Sequence, residues 1–435
     1  MQTLQSPVQP EKMIQNLALL LERNVLKFEE QDVFREKRND KYEGICWRDF
    51  YDNILNIAFN LKLYGMMKGD KMVIFSPNRL EMLQLELAVM ASGGIAVPIF
   101  AHFYRDTAEL LINHSDAKFL AVAGEQQLNR LSENIKVKFI FVFDEVEKKH
   151  FTNQRSFNDL ISRRTDLSFS LNEEADSDEI CLNMYTSGTM GIPKCVQLTH
   201  RNILSQQAAL AKLWSLNHYD RFLSYLPWHH SFGGIFELFT ALYNGATISL
   251  ESGYGKDPKI ILENWKLVQP TVFFSVPKVY QALIELTQHD KEAEDLFFHT
   301  QLKFVFTAAS ALPKKLSDIF ESKHIPVIEG WGLTETSPCC TLTNPDIKRL
   351  TGVVGLPIPG VTLRLADDGE IQVKGPNVMV GYYKNDEANK DIFTEDGFFC
   401  TGDVGEFTDA GLKLISRKDR IFKLSNGEKV VPSDL

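Results

Sequence analysis

The sequence predicts an α/β fold: a large body of several subdomains, with helix-covered, mostly parallel sheets and a small β subdomain. Three observations carry the architecture. Apolar runs of strand length alternate with helix-length segments from Gly69 to Glu329. From Gly352 the text changes to short, glycine-punctuated strands. The residues able to do chemistry stand directly after the strands, where right-handed crossovers leave the loops of a parallel sheet free to converge.

The first βαβ pattern is a strand at Lys71 to Ser76, an amphipathic helix from about Leu80 to Ala91 and a second strand at Ile95 to Ile99. Phe139 to Phe143 is another short buried strand, and the charged DEVEKKH after it reads as a solvated loop. The central third repeats the alternation. Phe222 to Leu226 is a strand, Phe232 to Tyr243 a nearly all-apolar helix, and Ala246 to Leu250 a strand. Thr271 to Ser275 and Leu302 to Thr307 follow as strands, with a helix opening at Pro277 between them. Pro313 starts a helix of about ten residues and Pro326 leads into the strand Val327 to Glu329. After Gly352 come Thr362 to Leu365, Glu370 to Lys374, Val404 to Phe407 and Leu412 to Ile415, the last two joined by the turn Thr408 to Gly411. No repeat of 20 to 50 residues interrupts this order.

A chain of 435 residues holds about three structural units of ~150 residues. With 44% apolar and 24% charged residues, disorder and fibres are excluded. Lys plus Arg number 47 against 57 Asp plus Glu, a net charge of −10, so there is no footprint for nucleic acid or anionic lipid. An anionic substrate must therefore be met by locally placed cations. Cysteines at 46, 181, 195, 339, 340 and 400 form no CxxC pair, which argues against a disulfide framework or zinc site and for a reducing cytoplasm. The longest apolar stretch, Leu87 to Ala101, is broken by Ser92, Gly93, Gly94 and Pro98 and falls short of the ~20 residues a membrane helix needs. The opening MQTLQSPVQPEK has no secretory pattern.

YTSGTMGIPK, residues 185 to 194, follows an alternating strand and precedes a helix with Thr199 as its expected N-cap. Gly188 and Gly191 permit close backbone approach, Thr186, Ser187 and Thr189 supply hydroxyls, and Lys194 adds positive charge, the parts a polyphosphate needs. It is not a GxxxxGK[ST] loop, and a Ser/Thr/Gly loop taken alone is more often a connector. Two further loops are expected at the same sheet edge: Ala308 to Leu312, with Ala309 and Ser310, and Gly330 to Thr336. In the latter Trp331 suits a base, Thr334 a phosphate and Glu335 a magnesium ion, against the alternative of a core tryptophan and a surface acid. His229 and His230 follow a strand end as well, as oxyanion donors or as structural histidines.

Together YTSGTMGIPK, LPWHHSFGG, GWGLTETSP, the TGD at 401 to 403 and the segment around Arg417 resemble, in order and spacing, the signature motifs of the adenylate-forming superfamily. GDKMVIFSPNRLEM and GEIQVKGPNVMVGYYKN extend the likeness over most of the chain. INHSDAK, PTVFFSVPKVY and KLSNGEKVVP are most similar to bacterial long-chain fatty-acid CoA ligases. The resemblance implies ATP-dependent activation of a fatty acid to acyl-AMP with release of pyrophosphate, then thioester formation with CoA; a carrier-protein thiol as acceptor, or a non-catalytic binding fragment, are the alternatives.

It further implies that Thr186, Ser187, Gly188, Thr189 and Lys194 hold the β and γ phosphates. Trp331, where the family usually has Tyr, stacks on adenine beside Ala309, Ser310 and Gly332. Thr334 meets the α-phosphate, Glu335 binds Mg²⁺, His230 assists the developing charge, and Asp403 and Arg417 hold the ribose hydroxyls. Asp419 matches the family's hinge. Met190 and Cys195 depart from the usual Thr and Gly. On this reading 1–351 are α/β adenylation subdomains, 352–415 completes the N-terminal domain, and 416–435 begins a truncated C-terminal domain without its lysine, so poor turnover is expected.

Overall fold

The computed structural model describes residues 2–172, 175–186, 193–288, 290–308, 310–347 and 349–418, with the backbone of 422–423 and 429–430. Two large sheets organise them. In the eight-stranded sheet, Lys71–Phe75 lies parallel between Ile95–Ile99 and Phe119–Val122, and Phe139–Val142 extends that parallel run. Ile180–Thr186 joins on the other side of Ile95–Ile99, then turns back through the antiparallel strand Lys194–Thr199. The larger sheet has a parallel centre, Thr247–Leu250, Arg221–Ser224, Val272–Ser275, Phe304–Thr307 and Val327–Trp331 in spatial order. Thr341–Leu342 and Val353–Pro357 continue it antiparallel to Gly411–Arg417, Phe399–Thr408, Glu370–Lys374 and Thr362–Leu365. The antiparallel strands read after Gly352 are thus hydrogen-bonded onto the parallel centre.

Burial explains the apolar runs: Phe304–Thr307 and Val272–Ser275 are buried along their whole length, as strands covered on both faces must be. One buried cluster spans side chains of both sheets, and a second covers the opposite face of the smaller sheet. The helix Leu80–Ala91 corrects the amphipathic expectation, since every residue from Met82 to Ala91 is buried, Gln84 and Glu86 included. Its polar pair mimics an exposed stripe in the sequence. Helix Leu17–Phe28, the hairpin Asp32–Arg38 with Lys41–Cys46, and helix Trp47–Leu63 precede the first element read from sequence. No helix among the described residues is long and apolar enough to cross a membrane. All six cysteines are free thiols.

Two local starts matter for the site. Thr199 caps helix His200–Leu213, accepting from the Asn202 amide while the Asn202 side chain accepts from the Thr199 amide, a reciprocal capping box. The helix after His230 begins as a π-turn, Phe232–Glu237, before becoming α-helical at Leu238–Asn244. Glycines allow this turn to lie flush on the preceding loop: a Cβ on Gly234 would come 1.9 Å from the Trp228 carbonyl oxygen, and one on Gly233 2.7 Å from that of Pro227.

Candidate nucleotide and acid site

A cavity of about 920 Å³ opens at the carboxyl ends of the central strands. Thr186, His230, Ser310, Trp331 and Gly332 line it. So do Thr334, Glu335, Asp403 and Arg417. Lys194 stands outside this lining, its ammonium 4.8 Å above the ring of Tyr382. Ser187, Gly188, Thr189, Ala309 and Asp419 lie outside the described residues. One expectation is corrected: the segment from Tyr185 to Lys194 does not share a sheet edge with the other two loops. It joins two antiparallel strands of the eight-stranded sheet, whereas the loops after Thr307 and Trp331 leave the larger one, so the cavity takes residues from both sheets. A further shift is that Gly330 and Trp331 end the strand, and the loop begins at Gly332. A Cβ on Gly332 would sit 1.7 Å from the Pro338 carbonyl oxygen, so no other residue fits there.

The polar end is tied by directed bonds. Trp331 donates from Nε1 to Oδ2 of Asp403 at 2.9 Å, and Arg417 meets Oδ1 of the same carboxylate at 2.8 Å. Asp403 and Arg417 meet because they are cross-strand partners in the hairpin of Phe399–Thr408 with Gly411–Arg417. The indole plane and the carboxylate are thereby fixed relative to one another. Ser231 and Thr334 share a hydroxyl–hydroxyl bond of 3.0 Å. Glu335 accepts a 2.7 Å bond from the Tyr382 hydroxyl, whose pKa is pushed up by burial and by the Glu335 charge, so it remains a donor. Lys194, Tyr382 and Glu335 thus form a continuous series of cation, ring and carboxylate.

The histidines are neutral at pH 7. Burial lowers the His230 pKa, and burial with His230 and His102 nearby brings His229 down to about 4. His230 Nδ1 accepts from the Phe232 amide at 3.3 Å, which leaves its proton on Nε2 as a donor.

Sequence reasoning missed a buried clamp beneath the polar end. Glu329, which also lines the cavity, accepts from the Leu312 amide at 2.8 Å and is ion-paired to Arg349. Arg349 donates in turn to the Leu312 carbonyl at 2.5 Å and to the Ser317 hydroxyl at 3.2 Å. The loop after Phe304–Thr307 is therefore gripped by both of its backbone groups at Leu312. Tyr382 was within reach of the sequence, since it falls in a segment that carries the family likeness; Arg349 has no local signal.

Phe232, Phe236 and Phe306, which touch one another ring to ring, form an apolar end, and Phe103 and Met184 line the cavity as well. One cavity accordingly offers hydroxyls, a carboxylate pair and an indole at one end and hydrocarbon at the other. For a hard cation, the polar end presents oxygen donors in Glu335 and Thr334, while no group of three or more His, Cys, Asp or Glu gathers among the described residues. That donor set suits magnesium, which is held by one or two carboxylates together with substrate phosphates.

Such a fold and cavity define an enzyme that binds nucleotides, and residues 21–383 match the family of AMP-binding enzymes. The chain belongs to that family. Long chain acyl-CoA synthetase 3 of Arabidopsis thaliana is 28% identical over 472 residues, covering 91% of this chain and 69% of the relative. The chain spans 60–70% of the length of the curated relatives it matches. In fold it is similar to ATP-bound MatB from Rhodopseudomonas palustris, at TM-score 0.82 and 23% identity over 96% of this chain and 82% of that one. It is also similar to the inhibitor-bound N-terminal domain of FACL13 from Mycobacterium tuberculosis, at TM-score 0.79 and 22% identity over 93% of this chain and 100% of that one.

Proposed function

We propose that this chain joins a carboxylic acid of the fatty-acid class to the α-phosphate of ATP, releasing pyrophosphate, and that the acyl group then passes to the thiol of CoA. The observation that carries the reading is the single two-ended cavity, with Trp331, Asp403, Thr334 and Glu335 at the polar end and phenylalanines at the other. The acid's carboxylate oxygen attacks the α-phosphorus; the new bond is a carboxylic–phosphoric anhydride, and the bond to the pyrophosphate oxygen breaks. Both partners are anions. Two unit charges ~4 Å apart interact by about 4 kcal/mol at an effective dielectric near 20, roughly a thousandfold in rate if uncompensated.

Compensation would come from groups at the polar end. Thr334 suits the α-phosphate and the His230 Nε2 proton the developing charge. Thr186 lies at the polyphosphate side, with Lys194 held near it by the Tyr382 ring. Trp331 would stack on adenine and Asp403, steadied by Arg417, would take the ribose hydroxyls. Glu335 would hold Mg²⁺, which supplies charge neutralisation on the phosphates. Unpaired thiols throughout fit a reducing cytoplasm as the site of action.

Acid-dependent exchange of labelled pyrophosphate into ATP tests the first step, and thioester formation with free CoA against a phosphopantetheinylated carrier tests the second. Exchange that requires a carboxylic acid and falls about a hundredfold in Glu335→Gln is the expected result. Exchange independent of any acid overturns the proposal.

A further inference from the structure

We propose that Phe236 and Phe306 are the end wall of the acid pocket, so that short alkyl and aryl carboxylic acids are accepted and long unbranched ones are turned away. The proposal rests on the adenylation reading above and departs from the long-chain acids in the names of several relatives. At the apolar end the Phe236 and Phe306 ring centres are 4.7 Å apart, and Phe232 lies 5.7 Å from Phe306. Directly behind them Phe274 sits 5.1 Å from Phe306 and 5.4 Å from Phe236, and Trp214 5.9 Å from both. Phe306, Phe236 and Phe274 are each at most 1% exposed, so the rings close on one another into a packed aromatic layer between helix and sheet.

The helix bearing Phe232 and Phe236 is also fixed in place. Its π-turn rests on the backbone of Leu226 to Trp228 through Gly233 and Gly234, at approaches that no side chain would permit. Phe306 stands on a central strand paired on both sides, so it cannot retreat with its backbone. A longer tail has to displace a ring from a packed layer, and the wall is set by ring volume.

Calorimetric binding of non-hydrolysable acyl-sulfamoyl adenosines, in the series butanoyl, octanoyl, hexadecanoyl and benzoyl, measures the wall without requiring turnover. Affinity should rise about fourfold per buried methylene up to the wall and then stop rising, with the hexadecanoyl compound weaker than the octanoyl. Phe236→Ala should move the break to longer tails, and Phe236→Leu, which keeps most of the volume, should move it less; melting curves identify a variant that fails to fold. Hexadecanoyl binding tighter than octanoyl in the unaltered protein overturns the wall, as does a break that both folded variants leave unmoved. If none of the compounds binds, the adenylation reading fails and the wall with it. A break seen in binding without pyrophosphate exchange keeps the wall and rejects the catalytic step.

Discussion

The two ends of the cavity are built by opposite means. At the polar end nearly every group is held by a directed bond: Trp331 to Asp403, Asp403 to Arg417, Tyr382 to Glu335, Glu329 and Arg349 to Leu312. At the apolar end the side chains of Phe232, Phe236 and Phe306 meet one another through ring contacts. Directed bonds fix angle and distance, which a nucleotide with its many polar atoms can exploit. Ring packing fixes only volume, which is all a hydrocarbon tail can report. The difference teaches that position is set at one end and length at the other.

Breaking the clamp should produce the largest effect. Arg349→Met leaves the buried Glu329 carboxyl without its ion-pair partner, and should cost about 3–5 kcal/mol in denaturant unfolding. Replacing both residues by methionine should recover much of that loss while leaving the Michaelis constant for ATP raised, because Leu312 is no longer gripped. Recovery of both would show that the clamp serves folding only. Next, Glu335→Gln should lower pyrophosphate exchange about a hundredfold with the melting temperature unchanged.

Trp331→Phe keeps a ring but removes the Nε1 donor to Asp403. About 1 kcal/mol is at stake, read as a roughly fivefold rise in the Michaelis constant for ATP. The smallest effect on turnover belongs behind the apolar end, where Glu237 is buried with Oε1 unpartnered among the described residues and Oε2 accepting from Ser224 at 2.7 Å. Burial holds its carboxyl well above the usual range, so the folded state keeps a proton that the unfolded chain gives up above about pH 4.3. Stability therefore falls from acid toward neutral pH. Glu237→Gln should melt with the parent at pH 4 and above it at pH 7; coincident curves at both values would place the carboxylate's charge on a partner.

Much of this was legible in the text because buried strands must be continuous apolar runs, and Phe304 to Thr307 and Ile95 to Ile99 announce themselves that way. The turn at Thr408 to Gly411 was legible as well, but its register alone would set Asp403 opposite Ser416; a bulge between Val404 and Gly405 brings Arg417 there instead. What escaped was decided at long range. Nothing local says that Lys194 opens a strand of one sheet while Trp331 closes a strand of the other. Helix Leu80–Ala91 carries Gln84 and Glu86 as an exposed helix would, and only the packing of the eight-stranded sheet and of helices Leu17–Phe28 and Trp47–Leu63 around it hides them. Arg349 finds Glu329 across 20 residues of sequence through the fold alone.

The strand Gly411–Arg417 has two duties: its last residue grips Asp403, and the backbone leaves the sheet immediately afterwards. A tug on the chain past Arg417 is met first by Lys418, which is ion-paired to Asp368 and Glu370, and then, through Arg417, by the Asp403 carboxylate and the indole of Trp331. Under the proposed function, mechanical load and nucleotide occupancy would share that route, so a force sensor attached beyond residue 417 should read out whether a nucleotide is bound.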